Sequence, residues 1–151
     1  MEKKKICLAC STGGHLKEML QLKKFYSKHN YYFVTMDRVD GKSLAKKEKV
    51  YFVKCPARNP LSFLINFFQS WKVFRKENPE VIISTGADVA LSTLLIGKLY
   101  RKKIIYIESF CRPLEPSVTG KIAYRFADLF IYQWKELAKY YPKGKFGGSI
   151  F

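Results

Sequence analysis

The chain has 151 residues, enough for one domain with a real apolar core. Of these, 48% are apolar, so the chain should fold without help, which excludes a disordered polypeptide. Lys and Arg number 28 against 12 Asp and Glu, a formal charge of +16, which points to anionic partners such as nucleic acid, anionic lipid or phosphorylated ligands and says nothing about fold.

The chain opens on Glu2-Lys3-Lys4-Lys5 and a short apolar run, Ile6–Cys10, too short for a secretory signal. Strand patterns rich in Ile, Val, Phe and Tyr then recur at Tyr31–Thr35, Val50–Lys54, Val81–Ser84, Lys103–Glu108 and Leu129–Tyr132. They are apolar on both faces, as buried parallel strands are. Helical patterns fill the gaps: Leu16–Ser27, Pro60–Glu77 entered by Asn59-Pro60, Ala87–Tyr100, Thr119–Phe126 and Trp134–Tyr140. The Lys-rich stretch Lys42–Lys49 reads as a solvated loop. This alternation predicts an α/β fold, a single Rossmann-like domain over 1–151 with a parallel sheet and helices on both faces. The longest uncharged stretch, between Arg58 and Lys72, falls far short of the roughly 20 residues that span a bilayer.

Cys7 and Cys10 form a C-x-x-C spacing on a strand, where i and i+3 face opposite sides. Neither lies at a helix N-terminus, where a redox thiolate is stabilised, and no further ligands are spaced for zinc. They read as buried free thiols in a reducing compartment.

Doubly wound sheets bind ligands beyond the C-terminal ends of their strands. The loops there carry Ser11-Thr12-Gly13-Gly14-His15, then Ser84-Thr85-Gly86-Ala87-Asp88, then Glu108-Ser109-Phe110-Cys111-Arg112, then Gln133-Trp134. Glycines followed by a helix start suit a phosphate, through free amides and the helix dipole. The spacing is neither a Walker A loop nor G-x-G-x-x-G, and a plain strand–helix turn explains it as well. His15 suits a general base or a cap, Glu108 a base or a sugar-hydroxyl ligand, and Arg112 a phosphate or Glu108 itself. Thr85 and Gly86 offer a second amide cluster. Ser117-Val118-Thr119-Gly120-Lys121 resembles a helix cap with a lysine set against the dipole.

Pro60–Glu77 is apolar around nearly its whole circumference at its start, with Phe63, Leu64, Phe67, Phe68 and Trp71, and it is basic beyond, with Lys72 and Arg75. It is either a core helix or an interfacial one lying on an anionic bilayer; the net charge favours the second.

The strings "CSTGGHLKEM", "STGAD", "IYIESFCRPLEPSVTGKIAYRFADLFIYQW" and "YYPKGKFGGSIF" resemble one family along nearly the whole chain. It is the membrane-associated, acceptor-side subunit of the two-part UDP-N-acetylglucosamine transferase of dolichol-linked glycan assembly, with bacterial counterparts in capsule and exopolysaccharide synthesis. The resemblance implies the N-terminal half of a GT-B glycosyltransferase, similar to the lipid II-forming enzyme. It implies a separate partner chain carrying the UDP-sugar donor site, a polyprenyl-diphosphate-linked saccharide as acceptor, no metal and no cofactor. Eukaryotic members carry an N-terminal anchor; a strand beginning near Ile6 implies a bacterial member held peripherally on the cytoplasmic face of the membrane. Carried onto this sequence, His15 and Glu108 become the candidate bases. Ser11, Thr12, Gly13, Gly14, Thr85, Gly86, Ser109, Arg112, Ser117, Thr119, Gly120 and Lys121 become the acceptor and phosphate contacts. Competing readings are a complete small transferase, a non-enzymatic scaffold for a partner transferase, and a basic nucleic-acid binder, the last without a zinc finger, helix-turn-helix or RNP cue.

Overall fold

A computed structural model describes residues 2–151. Its centre is a parallel sheet of order β3-β2-β1-β4-β5-β6-β7. The strands are β1 (Lys5–Cys10), β2 (Asn30–Thr35), β3 (Val50–Phe52), β4 (Val81–Gly86), β5 (Lys103–Ile107), β6 (Leu129–Tyr132) and β7 (Lys145–Phe146). Between them run α1 (Gly14–Gln21), α2 (Lys23–Tyr26), α3 (Val39–Ala45), α4 (Pro60–Glu77), α5 (Asp88–Leu99) and α6 (Val118–Ala123), with a 3-10 turn at Lys135–Lys139. The expected α/β fold is present. The expected helix at Leu16–Ser27 divides into α1 and α2, the Lys42–Lys49 stretch begins inside α3, and the Trp134–Tyr140 helix is the 3-10 turn.

Strand β1 shows why the strands are apolar on both faces. Cys7 and Ala9 point into a core shared with α4, α5 and α6, while Ile6, Leu8 and Cys10 point into a second core under α1 and α2. The two thiols therefore lie on opposite faces of the sheet. Both are free, and burial pushes each up to about 12, so neither is a nucleophile at neutral pH. The direction of winding reverses between β1 and β4, which opens a crevice there.

Helix α4 has the bounds its sequence predicts. The Asn59 side chain accepts from the Leu61 and Ser62 amides at 2.9 and 3.1 Å, Pro60 opens the helix, and left-handed Asn78 closes it. Its orientation inverts the usual pattern. The buried face carries Asn66, Ser70, Phe74 and Glu77. Asn66 ties the helix to the Lys54 and Val89 carbonyls at 2.6 and 3.2 Å. The outward stripe carries Leu61, Leu64, Ile65 and Phe68, which are 67%, 51%, 42% and 54% exposed, and continues into Lys72 and Arg75. Of the residues expected to meet a bilayer, Leu64, Phe68, Lys72 and Arg75 face outward. Phe63, Phe67 and Trp71 are only half-exposed: Phe67 and Trp71 pack against the core, and the Trp71 indole donates to the Tyr100 hydroxyl at 3.1 Å. Leu61 and Ile65 complete the outward stripe instead. Among the described residues no helix is long and apolar enough to cross a membrane.

At the opposite end of α4, the buried Glu77 carboxylate pairs with Lys5 at 2.8 Å and Lys49 at 2.6 Å and accepts from the Tyr51 hydroxyl. Burial opposes its ionisation, but the lysine and tyrosine hydrogen bonds outweigh that and hold the carboxyl at about 2. A folded pKa below the usual 4.5 makes this contribution complete above about pH 5, fading as the pH falls towards 2. Glu77→Gln should lower the unfolding free energy by about 2 kcal/mol near neutrality, with a smaller gap at about pH 3. Denaturant titrations of both proteins across that range check it; a gap that does not shrink would count against the ion pairs.

Candidate functional site

The β1–α1 and β4–α5 loops are locked together across the crevice. The Ser11 amide donates to the Gly86 carbonyl at 3.2 Å. His15 and Thr85 exchange two bonds: the His15 Nδ1 lies 2.8 Å from the Thr85 carbonyl, and the Thr85 hydroxyl donates to the His15 carbonyl at 2.7 Å. A carbonyl only accepts, so Nδ1 carries hydrogen and the neutral ring keeps its lone pair on Nε2. Gly86 makes this possible. Its φ is +112°, and an added Cβ would lie 3.2 Å from the His15 ring.

His15 lines a cleft of about 480 Å³. Its walls come from Arg58 before α4, from Ala87, Asp88 and Leu91 at the start of α5, and from the segment after β5 with Ser109, Cys111, Arg112, Ser117 and Thr119. A hollow of about 530 Å³ lies on the other side, between α1 and α3. Its polar lining is largely exposed Lys17, Lys23, Lys46 and Lys47 around Leu16, Leu20 and Leu44. We place the site in the cleft, where hydrogen bonds fix the functional groups and the strand ends converge.

The glycine loop contributes less than its sequence suggests. Thr12 and Gly13 face a separate shallow hollow beside Arg38 and Asp40, and Ser11 is buried. The Gly13 amide already donates to the Asp40 carboxylate at 3.2 Å, and a carboxylate there disfavours an incoming phosphate. Gly14 is exposed outside the cleft. Only His15 of this loop reaches it. Thr85 and Gly86 lie buried beneath, and Lys121 is exposed but outside the lining.

Glu108 has a different task from a base. It is fully buried, and its carboxylate takes four protein donors. The Ser109 amide donates at 2.9 Å, the Ser117 hydroxyl at 2.7 Å and the Ser117 amide at 3.1 Å, while the Tyr141 hydroxyl supplies the fourth. Ser117 also caps α6, accepting from the Gly120 amide at 2.8 Å. A Cβ on Gly120 would collide with the Glu108 carboxylate. Glu108 is thus a brace for the 109–117 segment, with no lone pair free for an acceptor.

A second buried carboxylate, Glu18 on α1, has no counterpart among the sequence expectations. It accepts from the Ser109 hydroxyl, the Phe110 amide and the Gln133 side chain, each at 3.1 Å. Burial raises its pKa against the pull of those bonds and of His15. Gln133 also donates to the Glu108 carbonyl at 3.0 Å and accepts from the Ile150 amide at 2.9 Å. Trp134 braces from below, donating to the Phe110 carbonyl at 2.7 Å. Glu18 and Asp88 stand in the strings that carry the resemblance and Arg58 just ahead of α4, but only the fold brings Arg58 and Asp88 into one cleft with Glu18 behind its wall.

Comparison with known proteins identifies the family and the fold. The family described as "Oligosaccharide biosynthesis protein Alg14 like" matches residues 53–150. The chain belongs to that family. A human relative named UDP-N-acetylglucosamine transferase subunit ALG14 is 27% identical over 177 residues, covering 96% of this chain and 82% of the relative. The Schizosaccharomyces pombe protein of the same name is 29% identical over 167 residues, covering 92% and 80%. Among solved structures, this Alg14-like chain is similar to MurG of Acinetobacter baumannii, with a TM-score of 0.74 at 15% identity, covering 88% of the chain and 42% of MurG. It is similar also to UDP-N-acetylglucosamine 2-epimerase of Rickettsia bellii, with a TM-score of 0.79 at 15% identity, covering 99% and 46%. The chain spans less than half the length of either structure. The likeness is in fold, and it matches one Rossmann-like half of a GT-B architecture.

The brace makes a direct prediction. Gly120→Ala should destabilise the protein by about 2 kcal/mol or more, because the new methyl must displace a carboxylate that holds four donors. Thermal unfolding measures this. A variant as stable as the parent would mean that Glu108 has room to move.

Proposed function

We propose that the chain is the acceptor-binding, membrane-recruiting subunit of a two-chain glycosyltransferase. In this reading a partner chain binds a UDP-sugar, and this chain presents a polyprenyl-diphosphate-linked saccharide at the cytoplasmic face of a membrane, for capsule or exopolysaccharide synthesis. One observation carries it: a cleft at the winding reversal, containing a histidine with an open Nε2, is entered beside a helix whose outward stripe is apolar and then basic. The relatives' names support a transferase subunit and make UDP-N-acetylglucosamine the first donor to test.

The chemistry assigned to this chain is a single proton transfer. The acceptor hydroxyl attacks the donor's anomeric carbon, the bond from that carbon to the nucleotide's phosphate breaks, and the hydroxyl proton passes to His15 Nε2. Thr85 fixes the ring, and Glu108 and Glu18 hold the 109–117 wall in place. Leu61, Leu64, Ile65 and Phe68 enter the acyl boundary, while Lys72 and Arg75 meet anionic headgroups.

Reconstitution tests both halves of the reading. Transfer to membranes bearing lipid-linked acceptor should need this chain and its partner together. A partner with full turnover alone would favour the scaffold reading, and transfer by this chain alone would favour a complete enzyme. His15→Ala should cut turnover of the pair roughly 100-fold or more, while thermal stability falls by only about 1 kcal/mol through the lost bond to the Thr85 carbonyl. Leu64→Glu combined with Phe68→Glu should abolish flotation with vesicles containing anionic lipid; unchanged flotation would remove α4 as the membrane contact.

A further inference from the structure

We propose that Glu18 is a positioning residue for the transfer, the buried counter-charge for the imidazolium that forms on His15 when the acceptor hydroxyl gives up its proton. This rests on the reading of His15 as the base, and it gives Glu18 a task beyond holding the cleft wall.

The two side chains stand one turn apart on α1, His15 in its first turn and Glu18 three residues on. Residues at that spacing share a helix face, with Cβ atoms about 5–6 Å apart. Side chains also lean towards the helix N-terminus, which carries the Glu18 carboxylate towards the His15 turn. Glu18 is 1% exposed, so water does not screen it.

The partners of Glu18 fix its charge state. The Ser109 hydroxyl and the Phe110 amide donate to Oε1, and the Gln133 amide donates to Oε2. Gln133 is held in that orientation, because its oxygen accepts from the Ile150 amide. A protonated carboxyl would find only the Ser109 hydroxyl to receive its hydrogen, so these partners suit the carboxylate. Burial works against the charge, while the Phe110 and Ser109 bonds and the charge of His15 favour it. Such an attraction is reciprocal: what a cationic His15 does for the carboxylate, the carboxylate does for the cation.

The other charges around the ring show why a counter-charge is needed. His15 sits at the positive end of the α1 dipole, which disfavours a cation. Arg58, from the connection into α4, and Arg112, beside the Cys111 thiol after β5, line the same cleft and oppose it too. Lys17 of α1 lines the hollow between α1 and α3 instead, and Lys121 of α6 is exposed outside the cleft. Of the anions, Asp88 is half-exposed, and it faces the N-terminus of its own helix α5. Glu108 is taken up by four donors of the wall. Glu18 is the buried anion on the ring's own helix. In the transfer the acceptor oxygen keeps its electron pair for the new bond and its proton goes to Nε2. Nδ1 keeps its bond to Thr85, and Glu18 stays ionised throughout.

Magnetic resonance titration of the two histidine rings in the full chain tests this without the partner. His29, at the opposite end of the sheet beside the Lys4 amide, is the internal control. In Glu18→Gln, His15 should hold its proton roughly tenfold more weakly than in the parent, with His29 unmoved. Glu18→Asp, which restores the charge on a shorter arm, should recover most of that loss. In transfer with the partner chain, the acid limb of the kcat/KM profile should move to lower pH in Glu18→Gln, because a ring that holds its proton less tightly stays neutral further into acid. Above that limb kcat should fall several-fold with little change in KM; a loosened wall alone would lower activity without moving the limb. The reciprocal measurement needs no change at Glu18: in His15→Ala the Glu18 carboxyl should keep its proton to higher pH than in the parent. Identical His15 titrations in the parent and Glu18→Gln, or identical Glu18 titrations in the parent and His15→Ala, overturn the counter-charge and leave His15 as the base. Parental turnover by His15→Ala with the partner overturns the base itself.

Discussion

The site is organised around a carboxylate that faces no solvent. Glu108 ends β5, yet its side chain gathers the Ser109 amide, both donors of Ser117 and the Tyr141 hydroxyl. It thereby joins the sheet, the cap of α6 and the segment after the 3-10 turn through one group. A buried charge is tolerable only when its lone pairs are satisfied, and a set this complete resists partial loosening, because each freed donor would be left unpaired in a dry interior. Glu18 repeats the device from α1, and Gln133 bridges the two carboxylate systems. The cleft wall between 109 and 117 is irregular backbone, but the hydrogen bonds of two buried glutamates tie it to the sheet and to α1.

Helix α4 resolves a conflict between its two jobs. Asn66 inward donates to the Lys54 carbonyl just past β3 and to the Val89 carbonyl in the first turn of α5, and Glu77 inward closes the lower end of β1 and β3 with lysines. With polar groups committed to the interior, the apolar residues are left outside. A soluble monomer gains nothing from such a stripe, and a patch of this kind ordinarily marks a contact surface.

Much of the framework was legible because it follows local rules. The strand runs carry β-branched and aromatic residues on both faces, and Asn59-Pro60 announces α4 with the cap geometry found. The missed elements obey tertiary rules instead. α3 carries little apolar surface and is held by Gly41, buried close against the Met36 carbonyl. β7 is two residues long and exists only because β6 offers it an edge. At the site, His15 and the 109–119 wall were legible from glycine and cap signals. Glu18 was not, since its partners lie more than ninety residues away in sequence. Arg58 reads in sequence only as the end of an uncharged stretch, and the fold sets it in the wall of the cleft. Composition says which side chains exist, and long-range closure decides which of them meet.

The paired bonds between His15 and Thr85 bear on how little must move when a proton arrives. The hydrogen on Nδ1 stays bonded to the same carbonyl whether the ring is neutral or cationic, so protonation at Nε2 calls for no ring flip and no exchange of partners. The imidazole can cycle between charge states as a fixed dipole already oriented by the backbone of the neighbouring strand. Reorganisation is then confined to the substrate side of the ring, where a second chain closing over the cleft would exclude water.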